Sequence, residues 1–233
     1  MSEAGQVAER IRTEGILAVI RLRSPEDFLP AVEAVQEGGV RAVEWALGEP
    51  SRLHALEAGR TRLSRNLLMG AGTIRTADEA REAIRAGAQF LVASTLNPDV
   101  VRVGLERDVA VILSAFTATE VTRAWEMGAS LVKLFPAGSV GPAYVRDLRG
   151  PLPYIPLIPS GGVTLETAPA FIRAGAAAIA VGNELMPQDP MARRAFGEIT
   201  TRARAFVEAV QRARERAERS VPPVKPIEGP DTR

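Results

Sequence analysis

Short apolar runs alternate with amphipathic stretches along nearly the whole chain. The runs predict strands at Gly15–Arg21, Val40–Leu47, Leu67–Gly72, Gln89–Ser94, Val109–Ser114, Ser130–Phe135, Tyr154–Pro159 and Ala177–Val181, eight in all. Helix starts are signalled between them. Ser24-Pro25 and Asn97-Pro98 set a capping residue before a first-turn proline, and Thr76-x-x-Glu79 and Thr117-x-x-Glu120 have the capping-box pattern. Helix stops recur as Gly38-Gly39, Gly87, Gly128 and Gly175, each ahead of an even-numbered strand. Counted from Gly39 they are 48, 41 and 47 residues apart, or one strand-helix unit per 20 to 24 residues. Eight such units predict a (β/α)8 TIM barrel. A doubly wound open sheet fits less well, because the one Gly-x-Gly after a strand, Gly70-Ala71-Gly72, has Arg75 where a dinucleotide fingerprint needs its third glycine.

The ends of the chain flank this repeat. An N-terminal helix is expected before the first strand. Pro190 to Val210 carries Phe196, Ile199, Ala203, Phe206, Val207 and Val210 at helical spacing, predicting a C-terminal helix packed on the barrel exterior. Gln211 to Arg219 is highly charged and expected to fray, and Ser220 to Arg233, with four prolines, reads as a disordered tail. The expected organisation is a single barrel domain over 1–219 followed by that tail. Glutamates interleave the arginines between Arg202 and Arg219, so this stretch reads as a solvated helical face and not as a nucleic-acid site.

Composition narrows the chemistry. The chain has 233 residues with 29 basic and 28 acidic side chains, a near-neutral balance that argues against a nucleic-acid partner. It has no Cys and one His, His54, which excludes thiol nucleophiles, Cys/His zinc sites, Fe–S clusters and most Ser-His-Asp hydrolases. His54 falls on the helix after the second strand, where exposure is expected. The acidic residues show no metal-ligand spacing, so neither a metal nor a cofactor is called for. With no signal-peptide core and no apolar run of membrane-spanning length, a soluble cytoplasmic protein with no membrane partner is expected.

Only two of the 29 basic residues are Lys: Lys133 and Lys225. Arg serves almost everywhere else, which marks Lys133 as a place for a cation able to lose its proton. A free lysine is deprotonated in only about 0.04% of molecules at pH 7, and burial can lower its pKa by about 3 to 5 units, enough to make it a nucleophile toward a carbonyl. The period of two on the sixth strand turns Leu131, Lys133 and Phe135 inward. On the second strand the same period turns Glu44 inward beside the small Ala42 and Ala46, where a carboxylate could shuttle protons for an amine. A lysine held by a structural carboxylate, and a Glu44 salt bridge to Arg21, are the plainer alternatives. Gly161-Gly162 and Gly182-Asn183 follow the seventh and eighth strands, the two loops where barrels frequently bind phosphate. Arg21 and Thr73 would complete a polar mouth.

These residues resemble a known family. Gly15 to Arg21, Gly38 to Glu44, Gly70-Ala71-Gly72-Thr73, Val132-Lys133-Leu134-Phe135-Pro136 and Pro159-Ser160-Gly161-Gly162 are similar in order to the class I 2-keto-3-deoxy-6-phosphogluconate (KDPG) aldolases, a family that includes 4-hydroxy-2-oxoglutarate and 2-keto-3-deoxy-6-phosphogalactonate aldolases. The resemblance runs from about Ile11 to Phe206. It implies a metal-independent, homotrimeric barrel with Lys133 as Schiff-base lysine and Glu44 as general acid/base. Arg21, Thr73 and Phe135 would contact the pyruvate-derived half of the substrate, and Ser160, Gly161, Gly162, Gly182 and Asn183 would hold its phosphate. The implied reaction is cleavage of a phosphorylated keto acid, KDPG, to pyruvate and glyceraldehyde 3-phosphate, with 4-hydroxy-2-oxoglutarate as a further substrate. The galactonate epimer is the alternative substrate; a phosphosugar isomerase with an electrostatic Lys133, or a phosphate-ligand binder without turnover, are alternatives of other classes. The departures from the family pattern are Gly48 for a polar residue, Ala93-Ser94 for Ser-Pro, Leu113-Ser114 for Pro-Gly, Ser160 for Thr and Asn183 for Ser.

Overall fold

The computed structural model describes residues 1–22, 24–47 and 53–219; Gly48 and the tail from Ser220 lie outside the described residues. Eight parallel strands form one sheet: β1 (Ile16–Ile20), β2 (Ala42–Ala46), β3 (Leu68–Ile74), β4 (Phe90–Ala93), β5 (Ala110–Ala115), β6 (Leu131–Leu134), β7 (Leu157–Pro159) and β8 (Ile179–Val181). They lie in the order β7-β6-β5-β4-β3-β2-β1-β8, and a parallel bridge between Ser160 and Ala180 joins the two ends. The chain is a (β/α)8 barrel.

Between successive strands run the helices α2 (Phe28–Glu37), α3 (Leu53–Arg62), α4 (Ala77–Arg85), α5 (Pro98–Glu106), α6 (Ala118–Glu126), α7 (Gly141–Arg149) and α8 (Ala168–Arg173). The capping chemistry explains most starts: Asn97 accepts from the amides of Asp99 and Val100, and Thr117 and Glu120 form a full capping box. Ser24-Pro25 differs. Pro25 opens a 3-10 turn, Pro25–Asp27, and α2 begins only at Phe28. The stops follow expectation, with Gly39, Gly87, Gly128 and Gly175 all at φ between 94° and 101°, where a side chain would be strained.

Alternation along the strands divides the core in two. One face, including Leu17, Leu68, Phe90, Ile112, Leu131 and Ile158, fills the barrel interior, while Val43, Trp45, Leu113, Val132 and Leu134 pack outward with the helices. The expected N-terminal helix, α1 (Glu3–Glu14), plugs the end where the strands begin, its Val7, Ala8 and Ile11 joining the interior cluster. Closing that end leaves only the C-terminal strand ends open.

The C-terminal segment departs from expectation. A short helix α9 (Gln188–Ala192) precedes α10 (Phe196–Arg219), and α10 continues through the stretch expected to fray. Ala209, Val210 and Ala213 are buried, and the Arg214 guanidinium donates to the carbonyls of Arg12, Thr13 and Ala177, tying α10 to the end of α1 and the entry to β8. These tertiary contacts outweigh the charge of the segment. Strand β7 is shorter than expected, because Tyr154, expected at its start, is exposed in a turn, and β8 begins at Ile179 and not at Ala177.

The plug has its own anchor. Asp108, at φ 51°, accepts from the amides of Glu3 (2.7 Å) and Ala4 (3.2 Å), at the start of α1. The Glu3 amide bond, with that of Ala4, holds this carboxyl below its ordinary range. A depressed carboxylate stabilises the fold above its unfolded pKa and loses that contribution as pH falls through the folded value. Asp108→Ala is therefore expected to raise amide exchange across Glu3–Glu14 with the central strands unchanged, and acidification below about pH 4 should do the same to the unmutated chain. Site-resolved hydrogen exchange checks both.

Candidate active site

At the open end, Lys133 on β6 donates from Nζ to Glu44 Oε2 on β2 across the barrel, at 2.8 Å. Their residue exposures are 7% and 2%, so the pair is taken almost wholly out of water. Glu44 pairs with Lys133 and not with Arg21, which has no ion-pair partner among the described residues.

Two glycines make room for this pair. Gly70 and Gly72 face inward on β3, beside Glu44 and Ala46 in register. A Cβ on Gly70 would lie 2.2 Å from the Phe90 ring, and one on Gly72 would lie 2.2 Å from Glu44 Oε1. The Gly-Ala-Gly run is thus a steric requirement of a barrel holding both an aromatic ring and a carboxylate at that level. Thr73, expected just after the strand, lies within β3, half-buried, at φ 63° where the register with β4 shifts. A β-branched residue rarely adopts that backbone, and such strain clusters at functional sites.

A cleft of about 940 Å³ opens beside the pair, lined by Arg21 from the end of β1, Lys133, Phe135, Ser160, Gly161, Gly162, Gly182 and Asn183. Eight of the ten expected site residues thus line one concavity; Glu44 joins through Lys133, and Thr73 lies on β3 outside the lining. Phe135 is a correction. It lies past the end of β6, ahead of a proline that cannot donate to the sheet, and is 48% exposed, so it belongs to the mouth and not to the inward face. A Cβ on Gly161 would meet its ring at 2.6 Å. The neighbouring loops are clamped together as Ala137 and Gly138 donate to the carbonyls of Ser160 and Gly161, each at 2.7 Å. Gly161 and Gly162 sit at φ 76° and 80°. The amides of Gly162, Val163, Asn183 and Glu184 have no acceptor among the described residues, leaving four N–H groups for an anion at the expected loops. His54 is exposed on α3, and no group of three metal-ligating side chains occurs among the described residues.

The opposite wall was not anticipated. Ser24, Asp27, Gln188 and Met191 also line the cleft, from the loop after β1 and from α9. Arg194 approaches Asp27 Oδ1 to 3.2 Å, but off the hydrogen-bonding direction, since that buried oxygen has no hydrogen-bond partner among the described residues. Ser24-Pro25 is visible in the sequence only as a helix-start signal, and nothing local predicts that α9 folds back over the eighth strand's end.

A family model described as KDPG and KHG aldolase matches residues 7–218. The chain belongs to the KDPG/KHG aldolase family. Its relatives include a 2-dehydro-3-deoxy-phosphogluconate aldolase of Treponema pallidum, 31% identical over 88% of this chain and 96% of the relative. A 2-dehydro-3-deoxy-6-phosphogalactonate aldolase of Escherichia coli is also 31% identical, over 84% of this chain and 96% of the relative. A solved native KDPGal structure superposes with a TM-score of 0.80 at 30% identity, covering 86% of this chain and 96% of that one. Members of this aldolase family are carbon–carbon lyases, and the buried amine and carboxylate suit that chemistry.

The Glu44 carboxylate fills the space that a side chain at position 72 would take. Gly72→Ala should displace the carboxylate and reduce kcat by about a hundredfold, the usual scale for an ångström-sized misplacement, with an unchanged circular dichroism spectrum. An active Gly72→Ala variant would show that the packing is not needed.

Proposed function

We propose that this chain is a Schiff-base aldolase that cleaves KDPG to pyruvate and glyceraldehyde 3-phosphate, with Lys133 as nucleophile and Glu44 as its proton shuttle. The observation carrying the reading is the buried 2.8 Å Lys133–Glu44 contact at the floor of an anion-ready cleft. A proton passes from Nζ to Glu44, and the freed amine adds to the C2 ketone. Internal proton transfer from nitrogen to oxygen gives the neutral carbinolamine. Glu44 returns its proton to the C2 hydroxyl, water leaves, and a protonated imine forms. The Glu44 carboxylate then takes the C4 hydroxyl proton, the C3–C4 bond breaks, and its electron pair enters the iminium to give an enamine. Glyceraldehyde 3-phosphate departs, C3 is protonated, and water hydrolyses the imine to release pyruvate and regenerate Lys133.

The remaining roles follow from charge and shape. Arg21, with no competing anion among the described residues, and Thr73 serve the C1 carboxylate, and Phe135 walls the pyruvate half. Ser160, Gly161, Gly162, Gly182 and Asn183 take the phosphate, with the amides of Gly162 and Asn183 free of any acceptor among the described residues. No step needs a metal or cofactor. On this reading residues 1–219 form one catalytic domain, with 220–233 outside it, and the enzyme works as a cytoplasmic homotrimer, which light scattering would test. Among the described residues no helix is long and apolar enough to cross a membrane.

Incubation with pyruvate and borohydride should leave a reduced adduct on Lys133, located by peptide mass spectrometry and abolished in Lys133→Arg. Absence of an adduct would overturn the reading. Glu44→Gln should lower kcat by about 10² to 10⁴. In parallel assays with KDPG, its galactonate epimer and 4-hydroxy-2-oxoglutarate, the highest kcat/KM is expected for KDPG.

A further inference from the structure

Among the described residues, five side chains of polar or charged type are buried: Glu44, Ser114, Lys133, Ser160 and Thr200. Four belong to the barrel strands or their C-terminal ends. Glu44, Lys133 and Ser160 have roles in the proposed reaction, and Ser114 does not. A buried polar group is the informative exception in a core, so Ser114 calls for an explanation.

Its position is specific. Ser114 lies near the end of β5 and is in direct register with Lys133 on β6. Along β5, Ala110 and Ile112 belong to the interior cluster whereas Val111, Leu113 and Ala115 pack outward, so the same alternation turns Ser114 inward, to the side of the sheet that carries Lys133. The Ser114 hydroxyl makes no hydrogen bond among the described residues, yet it is not sealed off, since Asp27 Oδ1 is the one sealed side-chain polar atom lacking a partner there. Among the described residues Lys133 Nζ in turn donates one hydrogen bond, to Glu44. A hydroxyl with an unused proton therefore stands on the strand next to an amine with unused donors, and that amine's residue, Lys133, lines the open cleft.

We infer that Ser114 is a further catalytic residue of the aldolase: its hydroxyl donates a hydrogen bond to the substrate oxygen at C2 as Lys133 adds to that carbon. The inference rests on the Schiff-base reading. As the N–C bond forms, the carbonyl electron pair moves onto oxygen, and a donor aimed at the developing charge stabilises that step more than the ground state. Ser114 keeps its own proton throughout. Glu44 still supplies the proton with which the C2 oxygen leaves as water. The hydroxyl therefore serves carbinolamine formation and dehydration, the steps shared by the full substrate and by pyruvate alone.

Rapid-quench borohydride trapping with pyruvate, read by intact mass, isolates those steps from bond cleavage. Ser114→Ala and Ser114→Gly are each expected to slow adduct formation about tenfold, the scale of one hydrogen bond, and Ser114→Thr, which keeps the hydroxyl, should restore most of the rate. If all three variants trap pyruvate at the unmutated rate, or if Ala and Gly slow it and Thr slows it further as a packing defect would, the inference is overturned while the aldolase reading stands. If the unmutated protein itself forms no adduct, it is the aldolase reading that fails. Thermal unfolding of each variant separates slow trapping from loss of fold, and should one variant unfold, the other two still decide the matter.

Discussion

Everything at the open end of this barrel is arranged around one costly contact, an amine and a carboxylate held 2.8 Å apart with almost no exposure to water. Taking two charged groups from water costs several kcal/mol each, and apolar replacements of similar shape often stabilise a fold more than such a pair does. A barrel selected for stability alone would have an aliphatic layer there. On the proposed reading, what the pair offers instead is a proton that moves between two partners over hydrogen-bond distance, in a place almost wholly out of water.

That requirement propagates outward through packing. Glu44 needs the missing side chain at Gly72, and the Phe90 ring one layer nearer the α1 plug needs the one missing at Gly70. The plug itself closes the floor, so a ligand enters from the strand ends alone. At the rim the same economy of side chains returns. Gly138 and Gly162 bring their backbones so close that a Cβ on either would lie within 3 Å of the other's Cα, and the amides of Gly162, Val163, Asn183 and Glu184 have no acceptor among the described residues. On the proposed reading one end of the cleft supplies covalent chemistry and the other fixed dipoles, a division that suits a long substrate with a keto acid at one end and a phosphate at the other.

Much of this was legible in the chain. Strand-helix periodicity, glycine helix stops and the scarcity of lysine are local signals, and they led to the barrel and to Lys133. The inward face of Glu44 followed from a period of two. The features not anticipated depend on contacts between distant segments. The folding of Gln211 to Arg219 onto α1 and β8 is set by Arg214 reaching carbonyls some two hundred residues back in the chain, and the cleft wall from α9 depends on a turn with no strong composition of its own. Phe135 was misplaced because alternation does not say where a strand ends. Ser114 was visible as a departure from the family pattern, but its significance needed the register with Lys133.

The most direct test of the central claim is a crystal structure of the protein soaked in pyruvate at neutral pH. The account predicts continuous density from Lys133 Nζ to C2 of the ligand, with a Glu44 oxygen within hydrogen-bond distance of the adduct. Pyruvate bound without a covalent link, or an adduct from which Glu44 has swung away, would contradict it.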